Sequence, residues 1–302
     1  MPSSVIVGTA IFPPVSFPPS SRLRLILASA LLLLSTLYPV NAIESINIRL
    51  GNLSGPGWRL EGVGLQIHWT EEQNRLFSLS IDRIHYPEGP QLLRSVRIDC
   101  RQGVISDQQI RCDLGSAQVE SPLLDDKAIP LRFNWQRASG SLELHLEKLA
   151  LAQGYAAVEA SWNDNRWQVQ VTTNRLSLAL LKQQAALLDI TTPEMGLSGR
   201  IELDLFASGS LQGVDSVNWQ VKFRETGFSE PSERYLAEGL SGHWKGRLRL
   251  EADIVKGTQG LSLAAGAILT PQFYLAPEDK PVSLEMPFRF TPSADKLELE
   301  RL

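Results

Sequence analysis

The 302 residues are 43% hydrophobic and 21% charged, and 29 Lys and Arg against 33 Asp and Glu leave a formal net charge of -4. Acidic and basic residues are interspersed, and the one tight basic cluster, Lys245 to Arg249, alternates with Gly and Leu, so the chain offers no field for capturing nucleic acid. With only 2 Cys and 4 His at unrelated intervals, no zinc spacing is recognisable, and no metal or other cofactor is expected.

Residues 1–21 are rich in Pro and Ser and carry no charge, which is unusual before an export signal and suggests a start placed too far upstream. Arg22 and Arg24 then precede an apolar run from Leu25 to Leu37, and Val40-Asn41-Ala42 forms a small-residue cleavage pattern. Residues 22–42 therefore read as a signal peptide cut after Ala42 or, if retained, as an inner-membrane anchor. The run is short for a membrane span of about 20 residues. No Cys follows it, which argues against lipoprotein processing. The expected location is the periplasm of a Gram-negative-type cell envelope.

From Ile46 onward the pattern is strict alternation: Leu65-Ile67-Trp69, Val96-Ile98-Cys100, Leu142-Leu144-Leu146, Val169-Val171, Ile201-Leu203-Leu205, Val217-Trp219-Val221-Phe223 and Leu297-Leu299. A period of two with polar residues between predicts strands dry on one face and wet on the other, as in antiparallel meanders. Thr70 to Asn74, Ala138-Ser139-Gly140, Asn163-Asp164-Asn165 and Ser208-Gly209-Ser210 supply hairpin turns. Around the third of these, Trp162 and Trp167 flank the turn symmetrically and are expected to pair across it. Leu178, Leu181, Ala185 and Leu188 fall at helical spacing, so a short amphipathic helix is expected over 176–188. It would close a first β segment, 43–192, ahead of a second, 193–302. The last residues, Asp295 to Leu302, alternate without a cap, so the second segment is expected to be truncated, with an edge strand open to a partner. The fold class is all-β: a predominantly antiparallel, elongated and twisted sheet, as a groove or open sandwich, with one short helix and an N-terminal signal or anchor helix.

Motifs that carry chemistry are missing. No G-x-S-x-G, H-E-x-x-H, P-loop or G-x-G-x-x-G sequence occurs, and Glu71-Glu72 and Asp125-Asp126 fall in expected loops where solvation accounts for them. His68 and His145 occupy polar positions of alternating strands, and all four histidines read as surface residues. Cys100 and Cys112 open the matched phrases Cys100-Arg101-Gln102-Gly103 and Cys112-Asp113-Leu114-Gly115. In an exported chain they are expected to form a structural disulfide, worth about 3 kcal/mol on the loop-entropy estimate. No enzyme is expected. The seven Trp, with Trp69, Trp135 and Trp219 in alternating strands, either fill a core or line an apolar channel.

Leu178 to Phe206, a Leu/Ala/Gln helix, a Pro, and then Gly196-Leu197-Ser198-Gly199-Arg200-Ile201-Glu202-Leu203-Asp204-Leu205, resembles a phrase of AsmA-like envelope proteins. The likeness continues through Gly213 to Trp219, Phe228 to Ser232 and Leu236 to Leu240, and the group includes the TamB and YdbH proteins. The resemblance implies a long β-groove along which phospholipid or other acyl chains move between inner and outer membranes, and it brings no catalytic residues. Groove candidates are Leu65, Ile67, Trp69, Leu144, Leu146, Val169, Val171, Ile201, Leu203, Leu205, Trp219, Val221 and Phe223. About 18 to 20 strands spaced about 4.8 Å apart would reach roughly 90 Å in one sheet. The alternative is a closed β-sandwich, a structural or interaction module that binds an envelope protein through its edge strand.

Overall fold

The computed structural model describes residues 45–299 apart from 56–57, 70–74, 86–92, 125–127, 189, 191, 193, 252–253, 278–279 and 292–295. The signal or anchor segment, the Thr70 to Asn74 turn and both neighbouring carboxylate pairs lie outside the described residues.

The first half of the sheet comprises β1 (Ser45–Gly55), β2 (Trp58–Trp69), β3 (Arg75–Ile81), β4 (Arg83–His85), β5 (Ser95–Ile105), β6 (Gln109–Glu120), β7 (Ile129–Gln136), β8 (Ser141–Leu151) and β9 (Gly154–Asn163). It continues through β10 (Arg166–Asn174), β11 (Leu176–Ser177), the helix α1 (Leu178–Leu187), β12 (Gly196–Ser210), β13 (Gly213–Ser229), β14 (Leu236–Glu251), β15 (Ile254–Leu269), β16 (Tyr274–Leu275), β17 (Val282–Thr291) and β18 (Lys296–Leu299). All eighteen strands belong to one hydrogen-bonded sheet, and every pairing is antiparallel, between strands that are consecutive in the chain or have one strand between them. Three short strands continue rows begun by others: β4 lies in line with β3 against β2, β11 with β10 against β12, and β16 with β17 against β15. Fifteen rows remain, a stack of roughly 67 Å at about 4.8 Å per step, shorter than the sequence suggests because those three strands add no row. Among the described residues no pairing joins β1 to β18, so the sheet is open and not closed into a barrel.

Local chemistry explains the connections. Between β9 and β10, Asp164 and Asn165 both take positive φ, 48° and 63°, the two-residue hairpin geometry whose twist matches that of the flanking strands. Trp162 and Trp167 are directly opposed there, as expected. The expected ring contact gives way to another: Trp167 lies over Gly209 of β12 and donates its Nε1–H to the Ser210 carbonyl at 3.0 Å. That also moves a turn. Ser208-Gly209-Ser210 is strand, the loop is Leu211-Gln212, and Gly209 is small because an indole occupies its side-chain space. The helix α1 is present at the expected place; none of its residues is fully buried, and Leu178, Leu181 and Ala185 are half-buried. Strands on both sides of α1 join one sheet, since β10 pairs with β12 across it.

Cys100 and Cys112 form the expected disulfide, joining β5 to β6 with the Cα atoms 5.8 Å apart. The two matched phrases now have a reason. A Cβ at Gly103 would fall 2.9 Å from the Cys100 sulfur, and one at Gly115 would fall 2.7 Å from the Cys112 sulfur, so each Gly makes room for the sulfur three residues before it. Around the bond, Phe77 meets Phe133 edge to face at 5.9 Å, with Ile67, Ile105 and Ile110 packed alongside. A second cluster, Ala117, Ile129 and Leu131, is overlaid by Leu124 from the β6–β7 connection and by Leu144, Leu146 and Leu149. Burying a leucine such as Leu131 stabilises by about 1.5–3 kcal/mol.

Bulges cross the second half of the sheet. Gly199 in β12, Glu225 in β13, Gly239 in β14 and Gly266 in β15 all have positive φ, each at or beside a shift in the strand register. The bulges of adjacent strands nest together: a Cβ on Gly199 would meet the Glu225 carbonyl oxygen at 2.5 Å, and one on Gly266 would meet Gly239 at 2.6 Å. A bulge bends its strand and raises the local twist. Bulges aligned across four strands bend the sheet along one line, and its apolar side there is hollowed into a trough.

Candidate functional site, the apolar face of the sheet

Register carries the alternation of single strands into a surface. Starting at Ile46, the directly opposed residues run Ile67, Phe77, Cys100, Gly115, Leu131, Leu146, Val158, Val171, Leu205, Trp219, Gly246, Gln259 and Met286. From β1 to β17 that line meets a single polar side chain, Gln259. One residue along, on the opposite face, the line from β7 reads Arg132, His145, Glu159, Gln170, Phe206, Asn218, Arg247, Thr258 and Pro287. The sheet thus has a dry side and a wet side along its whole width.

All thirteen candidates from the sequence fall in strands at apolar positions of this register, although the side chain of Trp69 lies outside the description. They do not share one environment. Ile67, Leu144 and Leu146 pack against the buried clusters of the first half. Ile201, Val221 and Phe223 line a cavity of about 470 Å³ on the second half, with Trp244, Leu261, Leu263, Leu284 and Met286 opposite and Leu178 of α1 at its margin. Leu203, Leu205 and Trp219 lie between them in β12 and β13. Sequence reading missed the walls supplied by β14, β15 and β17; in β15 the apolar positions Leu261 and Leu263 are separated by Ser262 and preceded by Gly260, where β8 or β12 has charged residues. The spacing Trp244, Leu261-Leu263 and Leu284-Met286 was nevertheless the available signal.

Aromatic rings lie along this surface over glycines. The directly opposed pairs Trp219 and Gly246, Phe223 and Gly242, and Phe288 and Gly257 are each so close that a Cβ on the glycine would come within 2.2 to 2.9 Å of the ring. An aromatic laid over a glycine on the neighbouring strand restores the packing the glycine lacks. It also lowers the floor of the trough, since the ring lies along the sheet where a β-branched partner would have held it upright. Trp219 meets Trp244 edge to face at 5.5 Å, and its Nε1–H has no partner among the described residues.

No ionisable side chain lines the 470 Å³ cavity. Its buried hydroxyl, Thr226, donates to the Leu240 carbonyl at 3.2 Å and is thereby satisfied. The carboxyl of Glu251, which the Lys256 ammonium holds below its usual range through a 2.6 Å hydrogen bond, is exposed at the β14–β15 hairpin. His145 stands 3.8 Å from Glu159 on the wet face. Among the described residues no group of three His, Cys, Asp or Glu could hold a metal ion, and no helix is long and apolar enough to cross a membrane. Across β12 to β17 a surface built this way offers apolar contact and little polar recognition. Comparison of the chain with protein-family models, with curated proteins and with solved structures finds no match.

Proposed function

We propose that this chain is a non-enzymatic envelope protein of the AsmA-like kind, exported to the periplasm, whose trough holds phospholipid acyl chains and conducts them between inner and outer membranes. The observation that carries the reading is the open apolar surface of β12 to β17, from Leu205 to Met286, backed by a polar face. An acyl chain is a uniform ligand. It needs continuous apolar surface and no fixed hydrogen-bonding partners, and at about 0.8 kcal/mol per buried methylene, eight methylenes laid in the trough gain roughly 6 kcal/mol. A path without deep polar wells also lets the chain slide, because no single position holds it much more tightly than the next. The 470 Å³ cavity is within the size of a small-ligand site, and it widens the path where the bulges bend the sheet.

The test is to express the full chain in a Gram-negative host, purify it without detergent, and measure bound phospholipid by native mass spectrometry and lipid extraction. Stoichiometric phospholipid in the parent, lost in Val221→Asp or Leu203→Asp while the β-sheet circular dichroism is kept, is the expected result. A folded, lipid-free parent sinks the proposal. It would favour the second reading, a closed or interaction module that binds an envelope partner by strand addition. That reading has its own observation, the apolar face of β1, where Ile46, Ile48, Leu50 and Leu53 are 37 to 44% exposed beside an edge unpaired among the described residues.

A further inference from the structure

The wet face of the second half carries a basic cluster that the trough does not use. Arg200 of β12 stands directly opposite Arg224 of β13, one step from the pair Glu202 and Lys222. Like charges directly opposed across two strands destabilise a sheet. Arg224 reaches Glu202 at 3.5 Å, whereas Arg175, Arg200 and Lys222 make no side-chain hydrogen bond or ion pair among the described residues. All four cations line one open cavity of about 970 Å³, together with Glu202, Glu225 and Ser241.

The bulges border this hollow. Arg175, at φ 59°, fills the break between β10 and β11; Gly199, at φ 89°, and Glu225, at φ 49°, are the nested bulges beside it. Each turns its strand away from the flat sheet and brings side chains from three neighbouring rows around one space. Ser241 accepts the Glu225 backbone N–H at 3.1 Å, and its own O–H has no acceptor among the described residues.

We propose that Arg175, Arg200, Lys222 and Arg224 form a binding site for a phosphate group, on the face opposite the trough. Directly opposite Cβ atoms lie about 4.5–5.5 Å apart, so the two flexible side chains can bring their guanidinium groups onto one anion. Each guanidinium presents a planar fork matched to phosphate oxygens. A bound dianion would turn the repulsion between Arg200 and Arg224 into joint attraction. Glu202 and Glu225 flank the hollow, so the site suits one compact phosphate and repels an extended polyanion. The site is independent of what the trough holds.

The experiment titrates the purified full chain with inorganic phosphate and pyrophosphate by calorimetry, and measures sedimentation with phosphatidylglycerol against phosphatidylcholine vesicles. Saturable binding of a soluble probe assigns the site to a free phosphate compound. Binding to phosphatidylglycerol vesicles alone assigns it to a lipid headgroup. In either case the double variant Arg200→Gln, Arg224→Gln is expected to weaken binding about tenfold or more, and Arg200→Lys, Arg224→Lys, which keeps charge but loses the forks, by a smaller factor. Should the Gln pair fail to fold, Lys222→Gln, a single exposed change, carries the test with about threefold weaker binding expected. The proposal is overturned if neither soluble phosphate nor anionic vesicles bind, or if folded variants bind as tightly as the parent.

Discussion

In β3 to β9 the apolar side chains bury one another, whereas in β12 to β17 they line an open surface. Of the fourteen buried apolar residues described, eleven lie at or before Ala156, so the stabilising core sits in the first half although the longest strands sit in the second. Two features produce the difference. The first half is covered from within: the β6–β7 connection lays Leu124 over Ile129 and Leu131, and α1 reaches the same connection through Gln184, whose Nε2 donates to the Leu123 carbonyl at 3.0 Å. The second half alternates large rings with glycines, so its side chains lie low and leave a trough between them. The same period of two therefore builds a core where a loop closes over the sheet and a path where none does.

Four experiments break or sharpen this contrast. The largest effect is expected from matched truncations of wall and core: Leu131, 3% exposed, against Leu284, 50% exposed. Leu131→Ala should cost about 2–5 kcal/mol in urea unfolding and Leu284→Ala less than about 1 kcal/mol. Equal costs would mean that the trough is packed shut. Next is the disulfide, where Cys100→Ala with Cys112→Ala should lose about 3 kcal/mol, read as a fall in the thermal midpoint. A smaller loss would show that the Phe77 and Phe133 cluster holds the hairpin without the bond.

Third, Gly246→Val should cost about 1–3 kcal/mol and shift the Trp fluorescence, because its Cβ would push Trp219 off the sheet. Unchanged emission would show that the ring does not lie over the glycine. The smallest effect concerns acid. Glu251 is held below its usual range by Lys256, so the ion pair contributes above the unfolded carboxyl's pKa and is lost as pH falls through the lower folded value. Lys256→Met should return the Glu251 titration, followed by carboxyl NMR, to the ordinary carboxylate range with little change in stability, since the pair is exposed.

Much of the fold was legible because an antiparallel meander writes its burial pattern locally. Leu142-Leu144-Leu146 and Val217-Trp219-Val221-Phe223 each declare a strand and its dry side, and Asn163-Asp164-Asn165 declares a hairpin, since only residues tolerant of positive φ fit there. The candidate site was legible in part for the same reason, as Ile201, Val221 and Phe223 show. The rest depended on partners distant in the chain. Gly209 read as a turn because glycines mark turns, and only the neighbouring strand shows that it accommodates Trp167.

The amino-acid sequence by itself determined the strands, their dry and wet faces and the pairing of Cys100 with Cys112, because side-chain alternation and a short hairpin are local properties. Tertiary structure alone decided that neighbouring strands join in order into one open sheet, that bulges align across β12 to β15, and which stretch of apolar face is covered. Those outcomes depend on register. Shifting a strand by one residue would exchange its two faces, and no single strand carries the information that fixes its alignment with the next.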